Sequence, residues 1–109
     1  NMGKRLSDMA VHNGVAYLAG QVADDTTQDI TGQTGQILAV IDKLLATAKT
    51  DKTRILMAQI FVANMKEFDG MNKAWDAWVA EGNAPPRATI EARLASADYK
   101  VEIVVTAAV

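Results

Sequence analysis

The chain contains no cysteine and a single histidine, His12. Disulfides, thiol catalysis and thiolate metal sites are therefore excluded. One imidazole and no carboxylate cluster at ligand spacing leave no metal constellation either. No apolar run reaches the ~18 residues that a membrane-spanning helix needs. The opening stretch, "NMGKRLSDMA", lacks the apolar core of a signal peptide. No block of five or six like charges occurs: the eleven Lys and Arg are scattered from Lys4 to Lys100, and the net charge is −2. A nucleic-acid partner would favour a basic stripe, so this balance argues against one. A P-loop, a GxGxxG turn and a persuasive Ser-His-Asp arrangement are all missing. Any chemistry must then be cofactor-free and use Arg, Glu, Asn, Tyr, backbone and water. The expected setting is the cytoplasm.

What is present fits one domain over residues 1–109, half of them apolar and 22% charged. Asn13–Gly14 is a favoured pair for a two-residue hairpin turn, because both positions need positive φ. The segments on either side, 5–12 and 15–22, read as its strands. Residues 32–49 carry a helical stripe of Ile37, Val40, Ile41, Leu44, Leu45 and Ala48, with Asp29 or Thr31 as the cap. Residues 53–63 read as a strand apolar on both faces, with Ile55, Met57, Gln59 and Phe61 opposite Leu56, Ala58, Ile60 and Val62. "KEFDGMNKAWDAWVAEG" reads as a second helix with a Phe68, Met71, Trp75, Trp78 stripe, ending near Gly82 or Asn83. Pro85–Pro86 forbids its continuation. "RATIEA" and "YKVEIVVTAAV" close the chain as two strands. This order predicts an α+β layer: one mostly antiparallel sheet with two helices on one face. The other face is too apolar to remain wet, which predicts a homo-oligomer.

Several polar residues stand out against this background. Arg87 opens a strand directly after two prolines. A guanidinium fork held there suits bidentate capture of a carboxylate. The alternative is a surface or edge-strand cation paired with Glu91 or another acid. Glu102 lies between Val101 and Ile103. It is a poised carboxylate that orients or deprotonates a water, an exposed residue on an edge strand, or a partner of Lys100 or Arg87. Asn72 lies within the second helix, where asparagine is usually just solvated. His12 flanks a turn and reads as a surface residue. Trp75 and Trp78 read as core packing. Gly20, inside a strand, marks a bulge or a close backbone approach.

Four stretches together, "VAYLAGQV", "ILMAQIFVANMKEFDGMNKAWDAWV", "PPRATIEARL" and "KVEIVVTAAV", resemble the Rid family, the reactive intermediate deaminases of the YjgF type. The resemblance covers nearly the whole chain. "SD-x-x-VHN" and "MNKAWDAWV" are similar to a bacterial subgroup. The resemblance implies a chorismate-mutase-like, ferredoxin-like-related fold and a homotrimer with a central barrel-like core. It implies a site for a small carboxylate substrate in each of three subunit clefts, and no cofactor. The family's carboxylate-binding arginine falls on Arg87 and its water-associated glutamate on Glu102. Its pocket glycine falls on Gly20 and its helix asparagine on Asn72, while Ala88 and Thr89 line the pocket after the arginine. The implied activity is hydrolysis of 2-imino or enamine acids to 2-oxo acids and ammonia. The alternatives are a non-catalytic 2-oxo-acid binding module and, disfavoured by charge, an RNA-directed nuclease or translation inhibitor. The chain departs from the deaminating members in one respect: their first-strand tyrosine falls near Leu6 or Ser7, whereas Tyr17 lies on the next strand. "NAPPR" is also a shorter approach to the arginine.

Overall fold

The computed structural model describes residues 4–109; residues 1–3, the start of the stretch read above for a leader, lie outside the described residues. Among the described residues, the strands are β1 (Met9–His12), β2 (Val15–Leu18), β3 (Ile55–Val62), β4 (Arg87–Glu91) and β5 (Val101–Ala108). The helices are α1 (Ile30–Thr47) and α2 (Phe68–Trp78). The strands form one sheet in the order β1-β2-β5-β3-β4. Three neighbouring pairs are antiparallel, while β3 and β4 are parallel. The parallel pair follows from the crossover between them: a chain that leaves one strand end and returns through a helix re-enters in the same direction.

Local signals explain most boundaries. Asn13 and Gly14 have φ of 52° and 77°, the doubly left-handed turn that asparagine tolerates and glycine, with no Cβ, adopts freely. The Asp29 side chain accepts from the Gly32 amide at 2.9 Å and caps α1. Short turns before α1 and β3 are held by Asp25 and Asp51. Hydrogen bonds from the Thr27 and Thr53 hydroxyls, then from their amides, hold these two carboxyls below the usual range.

Some expectations need correction. The expected strand 5–12 is regular only from Met9, and the strand 15–22 stops at Leu18, with Gln21 making an isolated bridge to Ile103. In β3 the register shifts between Ile55 and Met57, so Leu56 is an extra residue. The bulge turns Ile55 inward and leaves Leu56 outside, which breaks the strict two-face alternation read from the sequence. Helix α2 ends at Trp78, four residues before Gly82. The Val79 backbone is already extended, and the Trp78 carbonyl accepts from the Lys52 ammonium. That side chain takes over an acceptor which another helical turn would have used.

Both helices cover one face of the sheet. Ile37, Leu38, Ile41 and Leu45 of α1 and Met71 and Trp75 of α2 pack on Ala58, Ile60, Val62, Val101, Ile103 and Val105. Each fully buried aliphatic side chain contributes about 1.5–3 kcal/mol. The helices meet closely at Gly70, where an added Cβ would lie 2.7 Å from Ile30 Cγ2, and the Thr31 hydroxyl donates to the Gly70 carbonyl. The opposite face carries Tyr17, Met57, Ile90, Phe61 and Val104 with no helix over it.

One buried polar residue, not singled out in the sequence, ties the loops to this core. Gln33 is 0% exposed. Its amide nitrogen donates to the carbonyls of Thr26, Gln28 and Asp98, and its oxygen accepts from the Lys100 amide. Replacing it strands several buried groups at once. Gln33→Leu is expected to cost about 2–3 kcal/mol in urea denaturation and to loosen residues 96–100 in hydrogen exchange.

Candidate functional site

Arg87 is the first residue of β4 and pairs with Ala58, a buried position of β3. Its side chain therefore belongs to the helix-covered face. Helix α2, the crossover between β3 and β4, lies there. The guanidinium donates through Nη1 to Asn72 Oδ1 at 2.8 Å. Its central carbon lies 5.3 Å from the Trp75 ring centroid and 5.9 Å from that of Phe68. Phe68, Asn72 and Trp75 follow i, i+4, i+7 spacing, so one stripe of α2 supplies all three contacts. The expected alternative pairing does not form: Glu91 instead accepts from the Met65 amide at 2.8 Å. Among the described residues, no carboxylate pairs with Arg87. A half-buried guanidinium thus keeps its charge and has donors to spare.

Thr89 shares the Arg87 face, and its hydroxyl is buried without a hydrogen-bond partner among the described residues. Ala88 pairs with Gln59 and faces the other way. Trp75 and Phe68 were read as core only, yet they flank the arginine. The available signal was Asn72, a polar residue inside their helical stripe.

Glu102 belongs to a different place. Its strand is the central one rather than an edge, and Glu102 pairs with Phe61 on the uncovered face of the sheet. Neither Lys100 nor Arg87 engages it. Its neighbour is Gly20. An added Cβ on Gly20 would lie 2.2 Å from Glu102 Oε2 and 3.2 Å from its Cγ. The chain leaves β2 here: the Ala19 amide donates to Asp8, and Gln21 exchanges backbone hydrogen bonds with Ile103. Gly20 lies just past β2 rather than inside a strand, and of the two roles expected of it, a bulge or a close approach, it takes the second. The six candidate residues form two groups, Arg87–Asn72–Thr89 on one face and Gly20–Glu102 on the other, with Ala88 on the latter's side of the sheet.

Nearly the whole chain matches one family in sequence. The family model described as Endoribonuclease L-PSP aligns with residues 3–109. The chain belongs to the RutC/YjgF/Rid family. A RutC family protein of Haemophilus ducreyi is 58% identical over 105 residues, 96% of this chain and 90% of that protein. The structure resembles NMB1025 of Neisseria meningitidis, a member of the YjgF protein family, with a TM-score of 0.95 and 40% identity over 98% of this chain and 89% of that one. It also resembles YyfA of Yersinia pestis, of the conserved Rid protein family, with a TM-score of 0.90 and 30% identity over 99% of this chain and 90% of that one.

In this Rid-family chain, a groove of about 770 Å³ lies at the other end of β4 from Arg87, lined by Ala63, Glu91, Arg93, Leu94 and Tyr99 among others. None of the six candidate residues lines it. No helix among the described residues is long and apolar enough to cross a membrane, and no group of three or more His, Cys, Asp or Glu is placed to hold a metal.

The Gly20–Glu102 contact makes a direct prediction. In Gly20→Ala the methyl group displaces the end of a flexible side chain rather than backbone. Stability should change by less than roughly 1 kcal/mol, while the Glu102 carboxyl resonance shifts in NMR spectra of the variant.

Proposed function

We propose that the protein is a cofactor-free imine deaminase, acting on small 2-imino or enamine acids. The observation that carries this reading is Arg87: a cation held by neutral groups, half-buried, and without a carboxylate partner among the described residues. A substrate carboxylate would complete it through the remaining guanidinium donors. Glu102 would orient a water and accept its proton as the oxygen attacks the imine carbon. The resulting carbinolamine expels ammonia and leaves the 2-oxo acid. No redox partner is needed, since water supplies the oxygen and two protons end on the leaving nitrogen. The physiological setting proposed is the cytoplasm.

The opposed faces of Arg87 and Glu102 give this reading a structural consequence. One copy of the chain does not present both groups to one small ligand. A second copy must bring its Glu102 and Gly20 to the first copy's Arg87, Asn72 and Thr89. The uncovered apolar face supports such assembly: Tyr17, Met57 and Ile90 are each more than 40% exposed in the single chain. We propose the homotrimer, with three equivalent clefts.

One observation favours a second reading, a non-catalytic module that binds 2-oxo acids. The segment before β1 offers exposed Leu6 and Ser7 where deaminating members place a tyrosine. The family description as an endoribonuclease points elsewhere again, and the scattered bases and net charge of −2 oppose it.

The test is an imine-trapping assay with semicarbazide as competitor. Wild type should divert a 2-imino acid generated in situ, and Arg87→Ala should lose about a hundredfold in kcat/KM with its assembly mass unchanged. Mixing Arg87→Ala with Glu102→Gln subunits should then restore about a quarter of wild-type activity, because one cleft in four regains both groups. Full activity in Arg87→Ala overturns the reading. Binding of 2-oxobutanoate without turnover favours the module, and salt-dependent RNA cleavage would favour the nuclease.

A further inference from the structure

Arginines in half-buried positions are commonly paired with a carboxylate, which offsets the cost of desolvating the cation. Arg87 is held differently. One guanidinium N–H meets an amide oxygen at 2.8 Å, and the central carbon lies over two aromatic rings, 5.3 and 5.9 Å from their centroids. Trp75 is 5% exposed and belongs to the core, so its ring is fixed by packing rather than by the arginine. Aromatic quadrupoles attract a cation without cancelling its charge. An asparagine oxygen does the same through its dipole. All three groups come from one helical stripe, so they orient the fork as a unit.

We infer that Phe68, Asn72 and Trp75 form a neutral clamp, with Trp75 as a positioning residue, that fixes the Arg87 guanidinium while leaving its charge available to an incoming carboxylate. The inference rests on reading Arg87 as the carboxylate holder. It goes further in making neutrality at position 72 the determinant. A carboxylate there would be an internal competitor of nearly identical shape. It would stabilise the chain by pairing with Arg87 and would exclude the ligand by the same pairing. Trp78, the next aromatic on α2, provides a control. Its ring packs on Trp75 with centroids 5.3 Å apart, but its own polar partners are Asp42 and Lys52.

The experiment uses the intact assembly and 2-oxobutanoate as the probe, with calorimetric titration beside urea denaturation. Asn72→Asp should unfold at higher urea than wild type and bind the probe at least about tenfold more weakly. Trp75→Leu should weaken binding by about tenfold and Trp75→Phe by about threefold or less, since phenylalanine keeps an aromatic face. Trp78→Phe should bind as wild type does. A core-packing role alone would lower the urea midpoint of all these variants together and would not raise that of Asn72→Asp. Unchanged affinity in Asn72→Asp, or equal losses in Trp75→Leu and Trp78→Phe, overturns the clamp. If wild type fails to bind the probe, the carboxylate reading falls by itself. The urea midpoint of Asn72→Asp then judges the clamp alone: a rise supports it, and a fall overturns it.

Discussion

Strand β5 enters the sheet last and occupies its centre, bonded to β2 on one side and to β3 on the other. Its two-residue period divides the molecule. Val101, Ile103, Val105 and Ala107 point into the helix-covered core, while Glu102, Val104 and Thr106 point to the uncovered face. The core on one side anchors the strand rigidly. The alternation then fixes Glu102 on the far side with no freedom to turn, because a one-residue slip would carry every apolar side chain out of the core. Gly20 can approach the carboxylate because β2 ends beside β5 at that level.

The β3–α2–β4 crossover does the corresponding work for Arg87. Parallel pairing of β4 beside β3 places the arginine opposite Ala58, under the helix that precedes it in the chain. Helix and strand are joined through Pro85–Pro86, which restricts the backbone just before the arginine. The cation is therefore presented by a rigid strand end and gripped by a packed helix. This arrangement favours preorganisation over neutralisation. A fixed charge in a half-buried site recognises an anion more strongly than a solvated one does, because little reorganisation is left to occur on binding.

The same geometry leaves one face of the sheet open in the single chain. A sheet with two helices has one face covered, and here the other face is apolar. On the proposed reading, association is the route by which Glu102 would meet an arginine, and burial of the apolar face and completion of the cleft would be one event.

Residue patterns alone carried the local features. Asn13–Gly14 specifies a turn because few residues tolerate two positive φ angles. The stripe from Ile37 to Leu45 specifies a helix, and Asp29 or Thr31 its start, because period and capping are properties of neighbouring residues; the structure takes Asp29. The alternation in β5 was equally visible, whereas Gly20 was legible only as a bulge or a close approach. The family resemblance added Arg87, Glu102 and Asn72 as a set, which no local pattern joins. Tertiary structure decided the rest. The central position of β5, the parallel β3–β4 pair, the bulge at Leu56 and the early end of α2 all depend on partners far away in sequence. So does the division of the candidate residues between two faces. A strand's period says which side chains share a face, but only its pairing with other strands says which face meets the helices.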